Sequence, residues 1–397
     1  MELSDLATLA RSNLKILETP YGTVNAGLPF FPGDYGRDGI ITAEQLLPFD
    51  PSLAKHILFV LASHQGQKVD PLTEEEPGRI FHEYRKNDFE ILVKKGWYSK
   101  NGKLIYYGTS DATPLWLILF YDYVRQTNDW VTFRKLWPFA QKALYWIDNF
   151  GDKDGDGFIE YERQNPYGVG LYNQGWKDSK DAIKHKDGSK ALSPIALVEV
   201  QAYVYQAKIC MSEFYKIVGD LDRAEKILHE AEILKQRFNE AFWMPDKHFY
   251  ALALDRNKKK VEVISSNVGL SLVTGIIPEE YIDKVVERLF KPDMFTKRGL
   301  RTLSSLEVHY DPRSYHNGSI WIHDNNLVSL GLLKVKKFEK ARLVATCLLK
   351  ACTELKCIPE LFIVINGEVE PYYRACPIQA WSSGACLSFI HFLNKPR

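Results

Sequence analysis

Thr113-Pro114-Leu115-Trp116-Leu117-Ile118-Leu119-Phe120 opens a stretch, running on to Gln126, in which apolar side chains occupy every face of a helix. A helix that is apolar all round has to lie between other elements. The segment after it, residues 130–150, reads as a second helix reached through a short connection. The same pairing returns at 194–218 and 221–242, where Asp222-Arg223-Ala224-Glu225-Lys226-Ile227-Leu228 carries one apolar stripe and one charged face.

Working outward, helical periodicity recurs at 2–17, 39–47, 51–64, 265–274, 279–290, 319–333, 337–355 and 377–392, giving about twelve helices in all. Start signals stand at Asn128 ahead of Trp130, at Ser193-Pro194 and at Pro377. Short connections within pairs and long ones between them predict an all-α (α/α)6 barrel, six hairpins in a ring with buried inner and amphipathic outer helices. The long loops (29–38, 66–108, 151–189, 302–318 and 358–376) then gather at one end and build a pocket. Short β-hairpins are expected in them, at 158–161 after an Asp-Gly turn and at 362–365 before Asn366-Gly367. No clear internal repeat is visible, which counts against a regular solenoid.

No linker or change of composition interrupts the 397 residues, so one domain spanning 1–397 is expected. Lys and Arg number 51 against 50 for Asp and Glu, a net charge of +1 without long runs of either sign. That balance offers nothing to nucleic acid or an anionic membrane. The N-terminus has no basic segment leading into an apolar core, and no apolar run is long enough to span a bilayer, so a soluble cytoplasmic protein is expected. Of six cysteines, five (Cys347, Cys352, Cys357, Cys376 and Cys386) crowd the C-terminal part without a CxxC pair, a pattern favouring buried thiols over zinc.

Five loops carry chemistry-bearing residues. In Gly33-Asp34-Tyr35-Gly36-Arg37-Asp38-Gly39, Arg37 can donate to and Asp38 accept from vicinal hydroxyls, although Asp38 reads equally as a helix cap. His82, Glu83 and Asp111 can line a pocket, with Asp111 again a possible cap. Asp152, Asp154, Asp156 and Gly157 match the first half of a calcium loop, but Arg163 stands where the bidentate Glu belongs. An Asp-Gly turn is therefore favoured over calcium, and no cofactor or other metal is expected. In Asn173-Gln174-Gly175-Trp176-Lys177-Asp178-Ser179, an indole beside Asp178 would raise its pKa as a general acid needs, while Lys177 opposes the shift unless it points away. Asp178 capping a short helix through Ala182 is the plain alternative. In Tyr315-His316-Asn317-Gly318-Ser319-Ile320-Trp321-Ile322-His323-Asp324, a hydrogen-bonded rim with a stacking Trp is favoured over a metal site. Cys357-Ile358-Pro359-Glu360-Leu361-Phe362 places a final carboxyl before the last helix, which starts near Pro377-Ile378-Gln379-Ala380-Trp381. Glycosidic cleavage needs two carboxyl groups flanking one bond.

In this order the motifs resemble the amylo-α-1,6-glucosidase family of glycogen debranching, related to glucoamylases, from about Pro29 to Phe392. The resemblance implies an (α/α)6 fold and inverting hydrolysis of terminal α-glucosyl units. It puts Asp178 at the general acid and Glu360 at the general base, and Arg37 and Asp38 at the pair holding the terminal glucose. Trp176 and Trp321 are expected as sugar-stacking or pocket-wall residues, Trp381 under the loop, and Tyr35 and His316 as groups orienting water or hydroxyls. Inversion implies carboxyl groups about 6.5–9.5 Å apart. No β-rich or transferase domain accompanies the helices, so short oligosaccharides join α-glucans as expected substrates. Two alternatives stand beside this: hydrolysis of a small solute glycoside of the trehalose or glycosylglycerate type, or glycan binding without turnover. A glycosylglycerate would call for a basic anchor such as Arg79, Arg85 or Arg374.

Overall fold

The computed structural model describes residues 2–87, 89–99 and 102–394. Among them are thirteen α-helices: α1 (Leu3–Leu17), α2 (Gly36–Leu46), α3 (Pro51–Ser63), α4 (Glu90–Lys94), α5 (Ala112–Thr127), α6 (Trp130–Trp146), α7 (Val198–Ile217), α8 (Leu221–Phe242), α9 (Asn267–Leu270), α10 (Glu279–Leu289), α11 (Ile322–Lys334), α12 (Phe338–Leu355) and α13 (Ala380–Asn394). All twelve expected helices are present. The extra one, α4, buries none of its residues, so it leaves no apolar stripe to read in the sequence.

Contacts between helices form a closed circuit: α2 touches α5, α5 touches α7, α7 touches α9, α9 touches α11, α11 touches α13, and α13 returns to α2. The others pack outside this circuit, α3 on α2, α6 on α5, α8 on α7, α10 on α9, α12 on α11 and α1 on α13. The difference in position follows from side chains. Residues Ala112 to Phe120 of α5 are buried on every face, whereas α8 buries only Ala224, Ile227, Ala231, Leu234, Phe238 and Phe242, one stripe at helical spacing. Asp220 caps α8 by accepting from Arg223 N.

Three expected helix starts move inward. Ala196–Leu197 pairs with Ala253–Leu254, Ile320–Trp321 with Leu361 and Phe362, and Ile378–Gln379 with Gly27–Leu28, so these residues are extended and α7, α11 and α13 begin just after them. Each pairing partner is remote in sequence, and helical periodicity cannot register it. Asn128 is the left-handed end of α5, at φ 54°, and it is Asp129 that caps α6 through Thr132 N. The Asn366-Gly367 signal holds: Leu361–Ile365 and Glu368–Pro371 form an antiparallel hairpin, with φ of 52° and 86° at the two turn residues. Of residues 158–161, Tyr161 alone makes a bridge, to Ile195. The six cysteines are free thiols, four buried and two half-buried.

Trp116 lies at the centre of α5 with 0% exposure, stacked 5.5 Å from Phe120, its Nε1 donating to Leu58 O at 3.2 Å. Replacing it with alanine opens a cavity where inner and outer helices meet. Trp116→Ala is expected to cost about 3–5 kcal/mol, read as a lower midpoint in urea denaturation.

Candidate active site

Two-residue strands aim the first group of side chains. Asp34–Tyr35 pairs with Glu83–Arg85, which turns the chain into α2 so that Arg37 and Asp38 fall in its first turn. Gly36 is needed there, because a Cβ would stand 2.2 Å from Phe81 O. Asp38 is therefore not the cap of α2; Tyr35 holds that position. The Tyr35 hydroxyl donates to Glu83 Oε1 at 2.7 Å, and Arg85 binds both Glu83 and the Tyr35 oxygen.

The second group rides on the loop through Asp178. Gln174 fastens it to the 74–79 segment, donating to Glu74 Oε2 at 2.6 Å and accepting from Arg79 at 3.1 Å, while Asn173 Nδ2 donates to Ser179 O at 2.7 Å. Lys177 points away from the cavity, donating to Thr302 O at 2.6 Å, so it is not the cation beside Asp178. That cation is Arg37, whose Nη2 lies 3.3 Å from Asp178 Oδ2 and whose Nη1 lies 3.0 Å from Asp111 Oδ2. Residues Ser179 to Ala182 form no helix, so Asp178 caps nothing.

The hairpin starting at Leu361 carries Glu360 at its base and, by pairing with Ile320–Trp321, draws in the 315–321 loop. Glu360 Oε1 accepts from the Tyr315 hydroxyl and Oε2 accepts from Cys376 N at 2.9 Å. His316 Nδ1 meets Ser179 Oγ at 2.8 Å, tying this loop to the one bearing Asp178.

These groups enclose one cavity of about 210 Å³, lined among others by Tyr35, Arg37, Asp38, Glu83, Arg85, Trp176, Asp178, His316, Trp321 and Glu360. Tyr35, Arg37, Asp38, Trp176, Asp178, His316, Trp321 and Glu360 thus converge as expected, and so do His82 and Glu83. Asp111 does not line the cavity: it occupies the N-cap position of α5 and lies behind Arg37, bound to it and to Thr109 Oγ1 at 2.5 Å. The indoles are not open stacking platforms either. Trp176 and Trp321 are 3% and 1% exposed, and Trp176 is boxed edge-on by His316, Trp321 and His323. Trp381 stacks on His323 at 3.7 Å and also reaches the cavity wall. His316, His323 and Asp324 do not gather into a ligand set; the one cluster of that kind among the described residues is Asp152, Asp154, Asp156 and Glu160.

Sequence reasoning passed over Tyr315, Gln379, Leu92 and Trp97 as cavity residues. Tyr315 adjoins a recognised motif and a hydroxyl next to His316 was a usable signal. Leu92 and Trp97 come from the segment around α4, and nothing local in the sequence aims them inward.

Burial dominates the electrostatics. It raises the Asp178 carboxyl to about 6 against the opposing pull of Arg37, with Asp111 adding to the rise. Burial likewise takes Glu360 to about 7, although Tyr315 and the Cys376 N–H both favour its charged form. Asp38 is carried to about 7 by burial in spite of Arg37. His316 is held well below its ordinary value by burial and by Lys177, so it is neutral. Two carboxyl groups that exchange protons near neutrality, facing one cavity, suit general acid and base work.

A family model described as amylo-alpha-1,6-glucosidase matches residues 97–388. No curated protein sequence matches the chain. Among solved structures, the GH63 mannosylglycerate hydrolase from Thermus thermophilus in complex with Tris and D-glycerate aligns with a TM-score of 0.72 at 14% identity, covering 97% of this chain and 99% of that one. The same enzyme with Tris alone gives 0.71 at 14% identity, over 96% and 99%. A rhamnosidase from Klebsiella oxytoca with rhamnose bound gives 0.64 at 12% identity, over 97% of this chain and 63% of that one. These likenesses concern the fold. The family match spans well over half of the chain, and the protein therefore belongs to the amylo-alpha-1,6-glucosidase family of glycoside hydrolases.

Proposed function

We propose that this protein is an inverting, exo-acting α-glucosidase that removes terminal α-glucosyl units from short oligosaccharides or α-1,6 branch stubs. The observation that carries this reading is the convergence of Asp178 and Glu360 on one cavity with both carboxyl groups raised toward neutrality. The circuit of inner helices with an outer helix on each supports an (α/α)6 barrel, and the structural likeness over nearly all of the chain supports a single catalytic domain. Six free cysteines favour action in a reducing compartment such as the cytoplasm. No helix among the described residues is long and apolar enough to cross a membrane.

In this mechanism Asp178, protonated, donates to the glycosidic oxygen as the bond to the anomeric carbon breaks. Glu360, ionised, takes a proton from a water that attacks the opposite face of the ring. Tyr315 and Cys376 N–H hold one oxygen each of Glu360, and the remaining lone pairs are left for that water. Arg37 fixes the Asp178 carboxyl at 3.3 Å, and Asp38 is the acceptor for sugar hydroxyls. A cavity of about 210 Å³ is smaller than sites for drug-sized ligands, about 300–1,000 Å³, and suits one terminal ring.

Four carboxyl groups (Asp38, Glu83, Asp178 and Glu360) and two guanidinium groups (Arg37 and Arg85) line the cavity. Arg37 is engaged by Asp111 and Asp178, and Arg85 by Glu83 and Tyr35. Such a balance disfavours an anionic aglycone and favours a neutral glycoside. The second reading, a glycosylglycerate hydrolase, rests on the likeness to the mannosylglycerate hydrolase and on Arg85 as the anchor. Arg79 is buried against Thr109 O and Glu76, and Arg374 is exposed beside Tyr373, so neither serves.

Proton NMR of reactions with isomaltose, panose and a glycosylglycerate should show β-glucose released first from the neutral substrates and no turnover of the anionic one; initial α-glucose would exclude inversion. Asp178→Asn and Glu360→Gln are each expected to lower kcat about 10²–10⁴-fold with the circular dichroism spectrum unchanged. Full activity in either variant removes that residue from the chemistry. The active pair carries one proton between two groups titrating at about 6 and about 7. Below that window both are protonated and no base remains; above it both are ionised and no acid remains. A kcat/KM profile should therefore be bell-shaped with its maximum between these values, and a plateau extending into alkaline pH would contradict the pairing.

A further inference from the structure

The turn 152–160 holds a cluster of charges outside the reaction. Asp152 closes the turn, its Oδ1 accepting from Gly155 N at 2.7 Å and its Oδ2 from Gly157 N at 2.8 Å. Oxygens of Asp152, Asp154, Asp156 and Glu160 lie within 4.8 Å of one another, a set of hard ligands of the kind calcium takes. A cation already sits among them. Lys258, from a turn remote in sequence, places Nζ 2.6 Å from Asp154 Oδ2, 2.6 Å from Asp156 Oδ2 and 2.5 Å from Glu160 Oε1.

The turn that supplies this ammonium is itself braced. Lys258 N donates to Asp255 O at 2.8 Å, Asp255 Oδ1 accepts from Asn257 N and Lys259 N, and Asp255 Oδ2 meets His185 at 3.1 Å. Lys258 adopts φ 58°, a left-handed conformation that a non-glycine residue takes only when its surroundings hold it there.

The cluster is wired to the catalytic loop. Tyr161, next to Glu160, donates through its hydroxyl to Asn173 Oδ1 at 2.7 Å, and Asn173 in turn binds the carbonyl of Ser179, the residue after Asp178.

We propose that the 152–160 turn is a cation site that the chain fills from within, the Lys258 ammonium standing in place of a divalent metal and steadying the platform that carries Asp178. The protein then needs no metal for this loop, and losing the lysine turns the turn into a calcium site. Calorimetry and thermal denaturation with CaCl2 or EDTA test this on the full chain, and neither readout depends on the substrate. Wild type should take up no calcium and keep the same Tm and activity in both. Lys258→Ala should lose several degrees of Tm and much of its activity in EDTA, and millimolar CaCl2 should restore both with one ion bound per chain. Because Lys258→Ala alone leaves repelling carboxylates, a triple variant, Asp154→Asn with Asp156→Asn and Lys258→Ala, provides the control. It should fold without metal and ignore calcium. Calcium binding by wild type, a Lys258→Ala defect that calcium does not repair, or an equal calcium response in the triple variant each overturns the proposal. If both enzymes are inactive on glucosides while the Tm pattern holds, the glucosidase reading fails and this one stands.

Discussion

Arg37 is the junction on which the site depends. Arg37 is 3% exposed, and its guanidinium spans Asp111 at the start of α5 and Asp178 on the 173–179 loop, so it joins an inner helix, its neighbour in the circuit and that loop at one point. Burying such charges costs several kcal/mol per ion, which mutual attraction and hydrogen bonds must repay. Removing one partner would leave the others uncompensated, typically a loss of about 3–5 kcal/mol. The arrangement therefore holds geometry as much as charge. It keeps Asp178 on one wall of the cavity, while the hairpin base holds Glu360 on another through Tyr315 and Cys376 N–H.

The same burial tunes the chemistry. Carboxyl groups left in water would be ionised near neutrality, and desolvation, with neighbouring carboxylates adding to it, brings Asp178, Glu360 and Asp38 to values of about 6 to 7. Trp176, His316, Trp321, His323 and Trp381 pack on one another as an aromatic box, and all of them but His323 line the cavity.

Much of this organisation is legible in the amino-acid sequence. Buried and amphipathic helices are distinguished by period alone, and α5 and α8 carry those patterns in every turn. The Asn366-Gly367 hairpin is legible because its turn chemistry is local. Asp178, Glu360, Arg37 and Asp38 stand out because the loops bearing them carry recognisable motifs, and all four face one cavity. What fails to show are features made by partners distant in the chain: the short pairings that delay α7, α11 and α13, the inward turn of Leu92 and Trp97, and the withdrawal of Asp111 behind Arg37.

Lys177 and Lys258 mark the boundary between the two kinds of information. By itself the chain determined which helices are buried, where its turns fall and which acids sit on loops, because these follow from side-chain period and backbone preference within a few residues. Tertiary structure alone decided which cation meets which acid. Lys177, adjacent to Asp178, turns away to Thr302, while Arg37 comes from far along the chain to meet that carboxyl. Lys258 likewise crosses from a separate turn to Asp154, Asp156 and Glu160. Electrostatic attraction acts through space over a few ångströms, and the packing of the helices sets those separations.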